Sequence, residues 1–234
     1  MAERPRILLV EDDIHLGFLL KDLLVEHGFL VSHCSGGEEA ITEFNKFEIQ
    51  LCLLDVTLPT MDGFDLAKKL RTINVQVPFI FITARSLKTD TLKGYALGAE
   101  DYITKPFDEQ ILLCKIGAIL KRTSHYSSPP MESEKKVFPL GKYTFDYHAH
   151  ALLKGDQCYR LTEKENEVLY LLCTNKNKVV RRDDAVERIY GKQDYFLGRS
   201  FDVFISKLRK HLAEDPSISI ENVFKVGFIL NVNN

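Results

Sequence analysis

Short apolar runs punctuate the first half of the chain, among them Ile7-Leu8-Leu9-Val10, Leu51-Cys52-Leu53-Leu54 and Phe79-Ile80-Phe81-Ile82. Each is bounded by turn residues and followed by an amphipathic stretch, which predicts strands near 5–10, 29–34, 50–54, 78–82 and 101–103. Helical periodicity falls between them, near 14–27, 37–46, 64–73, 87–97 and 108–122. Strands that are apolar throughout suit a parallel sheet covered on both faces, and right-handed crossovers put helices on each side. Residues 1–123 are therefore expected to form an α/β doubly wound domain around a five-stranded parallel sheet.

The pattern stops after Arg122. Residues 124–136 are rich in serine, proline and charge, with little to bury, and read as a linker. From 137 to 234 the grammar changes. Tyr143-Thr144-Phe145, Ala151-Leu152-Leu153 and Cys158-Tyr159-Arg160, separated by turn residues, predict a small antiparallel sheet. Thr162 followed by Glu165 forms a capping-box signature ahead of Val168, Leu169, Leu171 and Leu172. Helices are expected near 182–190 and 199–213, and a hairpin over Ile218 to Val232, giving an α+β second domain.

Composition narrows the class. With 45% hydrophobic and 27% charged residues over 234 positions, the chain suits two ordinary globular domains. No run is long enough to span a bilayer, and Met1 to Arg6 is too polar and short for a signal peptide, so a cytoplasmic location is expected. Five cysteines without C-x-x-C spacing argue against a disulfide framework or a zinc site. Residues 1–123 hold 14 Lys and Arg against 18 Asp and Glu, and residues 124–234 hold 17 against 15. A back half so mildly basic does not announce a nucleic-acid binder, so the placement of its charges has to decide.

The polar residues that end the apolar runs carry the chemistry. Glu11 and Asp12 follow the first run, Asp55 the third and Thr83 the fourth, while Lys105 precedes Pro106 after the fifth. Open parallel sheets bind ligands beyond the carboxyl ends of their strands, so these groups converge. Any one acid alone would be read as a helix cap or a solvated loop residue, as Asp12 or Asp13 could be before Ile14. Their coincidence on successive strands is what argues for a site. Crowded carboxylates repel unless a divalent cation joins them, and oxygen ligands suit Mg²⁺. A phosphoacceptor reading makes Asp55 the nucleophile. Glu11, Asp12, Asp55 and the Thr57 carbonyl would hold the metal, and Thr83 and Lys105 the phosphoryl oxygens.

Val10-Glu11-Asp12-Asp13, Leu54-Asp55-Val56-Thr57-Leu58-Pro59 with Met61-Asp62-Gly63, Ile82-Thr83-Ala84-Arg85, and Gly98 through Phe107 resemble the flavodoxin-like receiver domain of two-component response regulators. That resemblance implies a switch pair, Thr83 and Tyr102, in which the threonine moves toward the phosphoryl group and the ring turns inward. It also implies a cis Lys105-Pro106 bond. A phosphatase of the haloacid dehalogenase type would need a second acid two residues after Asp55, where Thr57 stands.

On the predicted helix 199–213, Phe201, Phe204, Ile205, Leu208 and Leu212 share one face, and Arg199, Val203, Ser206, Lys207 and Lys210 the other. A basic helix face can lie in a major groove. Together with Leu161 to Glu165, Val179 to Asp183 and Asn222 to Phe228, this helix resembles the winged helix-turn-helix output domain of the OmpR/PhoB subfamily. The resemblance implies DNA contacts from Arg199, Ser200, Val203, Ser206, Lys207 and Lys210, a hairpin wing around Phe224 and Lys225 that touches the minor groove, and a loop near 190–197 that meets RNA polymerase. The wing departs from the family's arginine-glycine pattern with Phe224-Lys225. A subfamily dimer face would involve Leu92, Tyr95, Glu100, Asp101, Ile111, Cys114, Lys115 and Arg122, with Thr91, Ile111 and Gly117 where charged partners are usual.

The expected function is that of a DNA-binding transcriptional regulator and no external-substrate enzyme. Asp55 would accept phosphoryl from a sensor histidine kinase, the receiver catalysing its own phosphorylation and dephosphorylation. A homodimer would then bind double-stranded promoter DNA. The alternatives are a regulator that binds DNA without phosphorylation, or a protein-binding adaptor whose winged helix does not touch DNA.

Overall fold

The computed structural model describes residues 4–124, 136–190 and 195–233, with the backbone alone for 122–124 and 195–200. The chain divides into two compact units, residues 1–129 and 130–234. Most of the expected linker lies outside the described residues.

In the first unit, β1 (Arg6–Val10), β2 (Leu30–Cys34), β3 (Leu51–Leu54), β4 (Phe79–Thr83) and β5 (Asp101–Thr104) form one sheet in the order β2-β1-β3-β4-β5. All four pairings are parallel. The connecting helices are α1 (Ile14–Glu26), α2 (Gly37–Lys46), α3 (Gly63–Ile73), α4 (Lys88–Ala96) and α5 (Glu109–Ser124). Alternation along the strands sorts the side chains. Ile7, Leu9, Leu51, Leu53, Ile80 and Ile82 pack with Leu20 and Leu24 of α1 and Leu112, Ile116 and Ile119 of α5. In the packing against α3, Phe81 meets Phe64 edge to face at 4.9 Å. Each such side chain contributes about 1.5–3 kcal/mol on burial. The sheet is thus held from both sides, and the buried polar residues Glu11, Asp55 and Thr83 stand at the carboxyl ends of its strands.

In the second unit, β6 (Val137–Leu140), β7 (Tyr143–Asp146), β8 (Ala151–Lys154) and β9 (Gln157–Arg160) form an antiparallel meander. Three helices follow: α6 (Glu163–Thr174), α7 (Arg182–Tyr190) and α8 (Tyr195–Leu212). Strand β10 (Val179–Arg181) joins the hairpin of β11 (Ile218–Val223) and β12 (Gly227–Val232) in the order β10-β12-β11. Phe201, Phe204, Ile205, Leu208 and Leu212 are buried, as the helical pattern predicts. Thr162 accepts from the Glu165 N–H while the Glu165 carboxylate accepts from the Thr162 N–H, completing the capping box.

Three features differ from expectation. β6 contains Pro139, which breaks strand patterning but is tolerated because β6 is an edge strand. β10 has three residues, too few to show a period, and exists through its pairing with β12. α8 begins at Tyr195, ahead of the expected 199, because no proline intervenes to stop it.

Candidate phosphoacceptor site and nucleic-acid interface

The strand order reverses at β1, with β2 on one side and β3 on the other, and the crevice beyond that point is where a ligand is held. Val10 pairs with Leu54, so the next residues, Glu11 and Asp55, emerge side by side. The Asp55 N–H donates to the Val10 carbonyl at 2.9 Å and fixes this register. Beneath it, a Cβ on Gly63 would lie 2.0 Å from the Asp55 carbonyl, so only glycine lets α3 start so close to the site. Asp13 caps α1, accepting from the N–H groups of His15 and Leu16. That leaves Asp12 exposed and free of the capping role.

Glu11 is 2% and Asp55 5% exposed, and buried carboxylates need partners. Lys105 supplies one: its Nζ donates to Glu11 Oε2 and to Asp55 Oδ2, each at 2.6 Å. Burial acts to lower the Lys105 pKa, but the two hydrogen bonds win and raise it. For Glu11 burial wins, and its pKa is raised despite Lys105. The second oxygen of Glu11, Oε1, is buried and lacks a hydrogen-bond partner.

These features fit a divalent cation. Ligand atoms from Glu11, Asp12 and Asp55 lie within 4.8 Å of one another. Opposite ligands of an octahedral magnesium are about 4 Å apart. Three carboxylates against one ammonium leave an excess of two negative charges, and a buried oxygen without a donor is what a hard cation satisfies. Thr57 is exposed, and its N–H donates to Asp55 Oδ1 at 2.8 Å. This bond steadies the carboxylate, while the metal role of the Thr57 carbonyl remains an expectation of the resemblance.

Thr83 is fully buried, and its hydroxyl accepts from the Arg85 N–H at 3.3 Å. The Tyr102 ring lies inward, 9% exposed, and its hydroxyl donates to the Arg85 carbonyl at 2.9 Å. Burial pushes the Tyr102 phenol up to about 12, so it stays a donor at neutral pH. The Arg85 guanidinium grips Asp90 through Nε and Nη2 and reaches Asp62 through Nη1. Arg85 thus touches both Thr83 and Tyr102 through its backbone while its side chain ties β4 to α3 and α4. Arg85 closes the Ile82-to-Arg85 motif, but this bridging role arises from tertiary contacts to Asp62, Asp90 and Tyr102 that the motif does not encode. The Lys105-Pro106 bond is cis.

The expected dimer face is less open than the sequence suggests. Tyr95 is buried, with its hydroxyl donating to Asp101, and Glu100 is buried as well. Asp101 pairs with Lys115 inside the chain. The apolar patch therefore loses Tyr95, leaving half-buried Leu92 with exposed Ile111 and Cys114. The side chain of Arg122 lies outside the described residues.

On α8, Ser206 and Lys210 are exposed and Val203 is half-buried. Lys207 is partly committed, donating to the buried Glu165 at 2.8 Å. The Arg199 and Ser200 side chains, and residues 191–194 of the loop expected at 190–197, lie outside the described residues, while 195–197 belong to α8. Arg209, not singled out from the sequence, fastens the helix to β11 by donating to the Ile220 carbonyl at 2.7 Å and to Asn222 Oδ1 at 2.9 Å. Asp202 is held by Arg182. Lys225 occupies the turn between β11 and β12, exposed.

Residues 7–117 match the family described as the response regulator receiver domain, and residues 156–230 the one described as transcriptional regulatory protein, C terminal. The chain is 44% identical to the transcriptional regulatory protein RprY of Bacteroides fragilis, covering 98% of this chain and 96% of that protein. It is 38% identical to CpxR of Klebsiella pneumoniae over 89% of this chain and 90% of that one. A solved mutant of RitR superposes with a TM-score of 0.73 at 23% identity, covering 98% of this chain and all of that chain, which supports the fold. With an acidic pocket at the switch point of one domain, a helix with a partly basic exposed face in the other and a 44%-identical relative matching over nearly the whole length, the chain belongs to the two-component response regulators of the OmpR/PhoB subfamily.

Proposed function

We propose that phosphoryl transfer to Asp55 controls promoter binding by the output domain. The observation that carries this reading is the Lys105 ammonium shared between Glu11 and Asp55 at the switch point of the sheet. An Asp55 carboxylate oxygen attacks phosphorus, and the bond from phosphorus to the imidazole nitrogen of the kinase histidine breaks. The result is an acyl phosphate on Asp55 and a free imidazole. Glu11, Asp12 and Asp55 would hold Mg²⁺, which supplies positive charge against the phosphoryl oxygens. Lys105 then exchanges its carboxylate contacts for the phosphoryl oxygens, and the Thr83 hydroxyl, released from the Arg85 N–H, donates to another. These contacts exist only in the phosphorylated state, so their free energy biases the receiver.

The donor reaches the site past a groove of about 430 Å³ that borders Lys105. Its walls are Leu16, Leu19, Leu20 and Leu23 of α1 with Pro106 and Phe107. Exposed Ile14, Phe18 and Leu19 extend the apolar surface along α1. A helix of a sensor histidine kinase seated there would bring its phosphohistidine to Asp55. No external substrate is turned over; the receiver promotes only its own phosphorylation and dephosphorylation. In this reading the regulator works in the cytoplasm, pairs through the receiver by way of Leu92, Ile111 and Cys114, and meets RNA polymerase through the segment at 190–197.

DNA affinity with and without acetyl phosphate and Mg²⁺ tests the proposal, comparing the parent with Asp55→Asn. Tightening in the parent and none in the variant is expected. Equal affinity in all four conditions would instead favour a regulator that ignores phosphorylation, and no DNA binding at all would favour an adaptor.

A further inference from the structure

We propose that Phe224, at the tip of the β11–β12 hairpin, is an apolar wedge that enters the minor groove of bound DNA while Lys225 grips the flanking phosphates; this rests on the output domain binding DNA. Phe224 is 83% exposed, more than any other large hydrophobic among the described residues. A phenylalanine left in water forgoes a large burial gain, and here the backbone holds it out. Val223 pairs with Gly227, leaving Phe224, Lys225 and Val226 as a three-residue turn. The turn is braced twice, by the Val226 N–H donating to the Val223 carbonyl at 2.9 Å and by the Arg182 N–H donating to the Val226 carbonyl at 3.0 Å. Lys225 has a φ of 56°, a left-handed conformation that glycine would adopt without strain. Its Nζ lies 5.3 Å from the Phe224 ring centre, so cation and ring are presented as one unit.

The hairpin cannot drift from the recognition helix, because Arg209 of α8 binds both the Ile220 carbonyl and the Asn222 side chain. A helix in the major groove carries an element fastened beside it to the adjoining phosphates and minor groove. Lys225 in the turn, Arg181 on β10 and Lys210 on α8 are exposed and can meet a polyanion, with Asp183 the acid that lines the same cavity as Phe224 and Lys225. Phenylalanine offers no hydrogen bond to a base edge. What it can do in a minor groove is wedge between neighbouring base pairs, unstack them and kink the duplex, which is easiest at TA and CA/TG steps. Specificity under the wing would then come from deformability, and the bound duplex would be bent.

The test uses the full chain and a duplex that the full chain itself selects from a random-sequence pool, labelled at both ends for energy transfer. The parent is expected to bend it. Phe224→Ala, whose folding the exposure of the ring should spare and a melting curve verifies, is expected to bind about tenfold more weakly, the scale of one lost base–aromatic contact. Its duplex should stay straight, with the salt dependence of binding unchanged. Lys225→Ala should keep the bend and lower the salt slope by about one. A parent complex with straight DNA, or Phe224→Ala with parental affinity and bend, would overturn the wedge while leaving DNA binding intact. Loss of transcription from Phe224→Ala with binding and bending unchanged would also overturn it, assigning the ring to a protein partner. A parent that selects no duplex overturns the DNA-binding reading and the wedge together.

Discussion

The hydroxyl of Tyr102 donates to the carbonyl of Arg85 across 2.9 Å, joining β5 to the loop that leaves β4. The same ring fills space beside Gly94, where a Cβ would lie 2.8 Å from Tyr102 Cδ2 and 3.1 Å from Phe81 Cδ2. One substitution removes the bond and another the room. Tyr102→Phe should weaken the inward arrangement by about 0.5–1.5 kcal/mol, the worth of one hydrogen bond, and reduce the response of DNA affinity to phosphorylation by up to about tenfold. Gly94→Ala should displace the ring and abolish more of that response. Binding titrations with and without acetyl phosphate measure both; an undiminished response in Gly94→Ala would remove Tyr102 from the switch.

Lys105 neutralises two carboxylates that are otherwise nearly dry. Replacing it with methionine leaves Glu11 and Asp55 facing each other, and losing one member of a buried ionic cluster costs about 3–5 kcal/mol. The receiver transition of Lys105→Met should therefore fall in a thermal melt. Mg²⁺ should restore much of the loss, because a divalent cation among Glu11, Asp12 and Asp55 meets the same charge. Adding Asp12→Asn should remove the restoration. A Lys105→Met melt insensitive to Mg²⁺ would contradict the assigned ligands.

The groove along α1 separates two ways of reaching Asp55. Leu19 is 68% exposed on its rim, so Leu19→Asp should leave the fold intact. Phosphotransfer from the cognate kinase should slow by about tenfold or more, since an apolar anchor at a docking site commonly carries over 1 kcal/mol. Acetyl phosphate needs no docking helix and should phosphorylate the variant at the parental rate. Equal slowing with both donors would place the effect in the site itself.

Glu165 reports on the output domain. Burial acts to raise its pKa, but Lys207 and the capping-box donors at Thr162 prevail and lower it below 4.5. A carboxyl with a depressed folded-state pKa adds stability that is present above its unfolded value and lost as pH falls through the folded one. The output-domain transition should therefore weaken as pH drops below about 4.5, where the unfolded carboxyl takes up its proton. Glu165→Gln should be less stable at neutral pH and flatten this acid limb. An unchanged acid limb in melts of the variant would show that other carboxylates govern it.

Much of this was legible in the residues. The five strands of the receiver and the residues ending them follow from apolar runs that cannot face water, and the parallel topology then brings Glu11, Asp55, Thr83 and Lys105 to one edge. The α6 capping box and the buried face of α8 were equally local. The rest depends on partners distant in the chain. Val179–Arg181 becomes a strand only beside β12, and Val137–Leu140 only beside β7. Tyr95 is drawn in by Asp101, and Lys207, placed on a solvated basic face by periodicity, is turned to Glu165. The clamps made by Arg85 and Arg209 join residues whose proximity no single-chain pattern announces.

The central claim is that Asp55 becomes covalently phosphorylated in a pocket completed by Mg²⁺. Mass spectrometry of the full chain after incubation with acetyl phosphate and Mg²⁺ should show one added phosphoryl group, mapped to Asp55 and absent when the metal is chelated. No adduct, or an adduct retained in Asp55→Asn, would contradict the account.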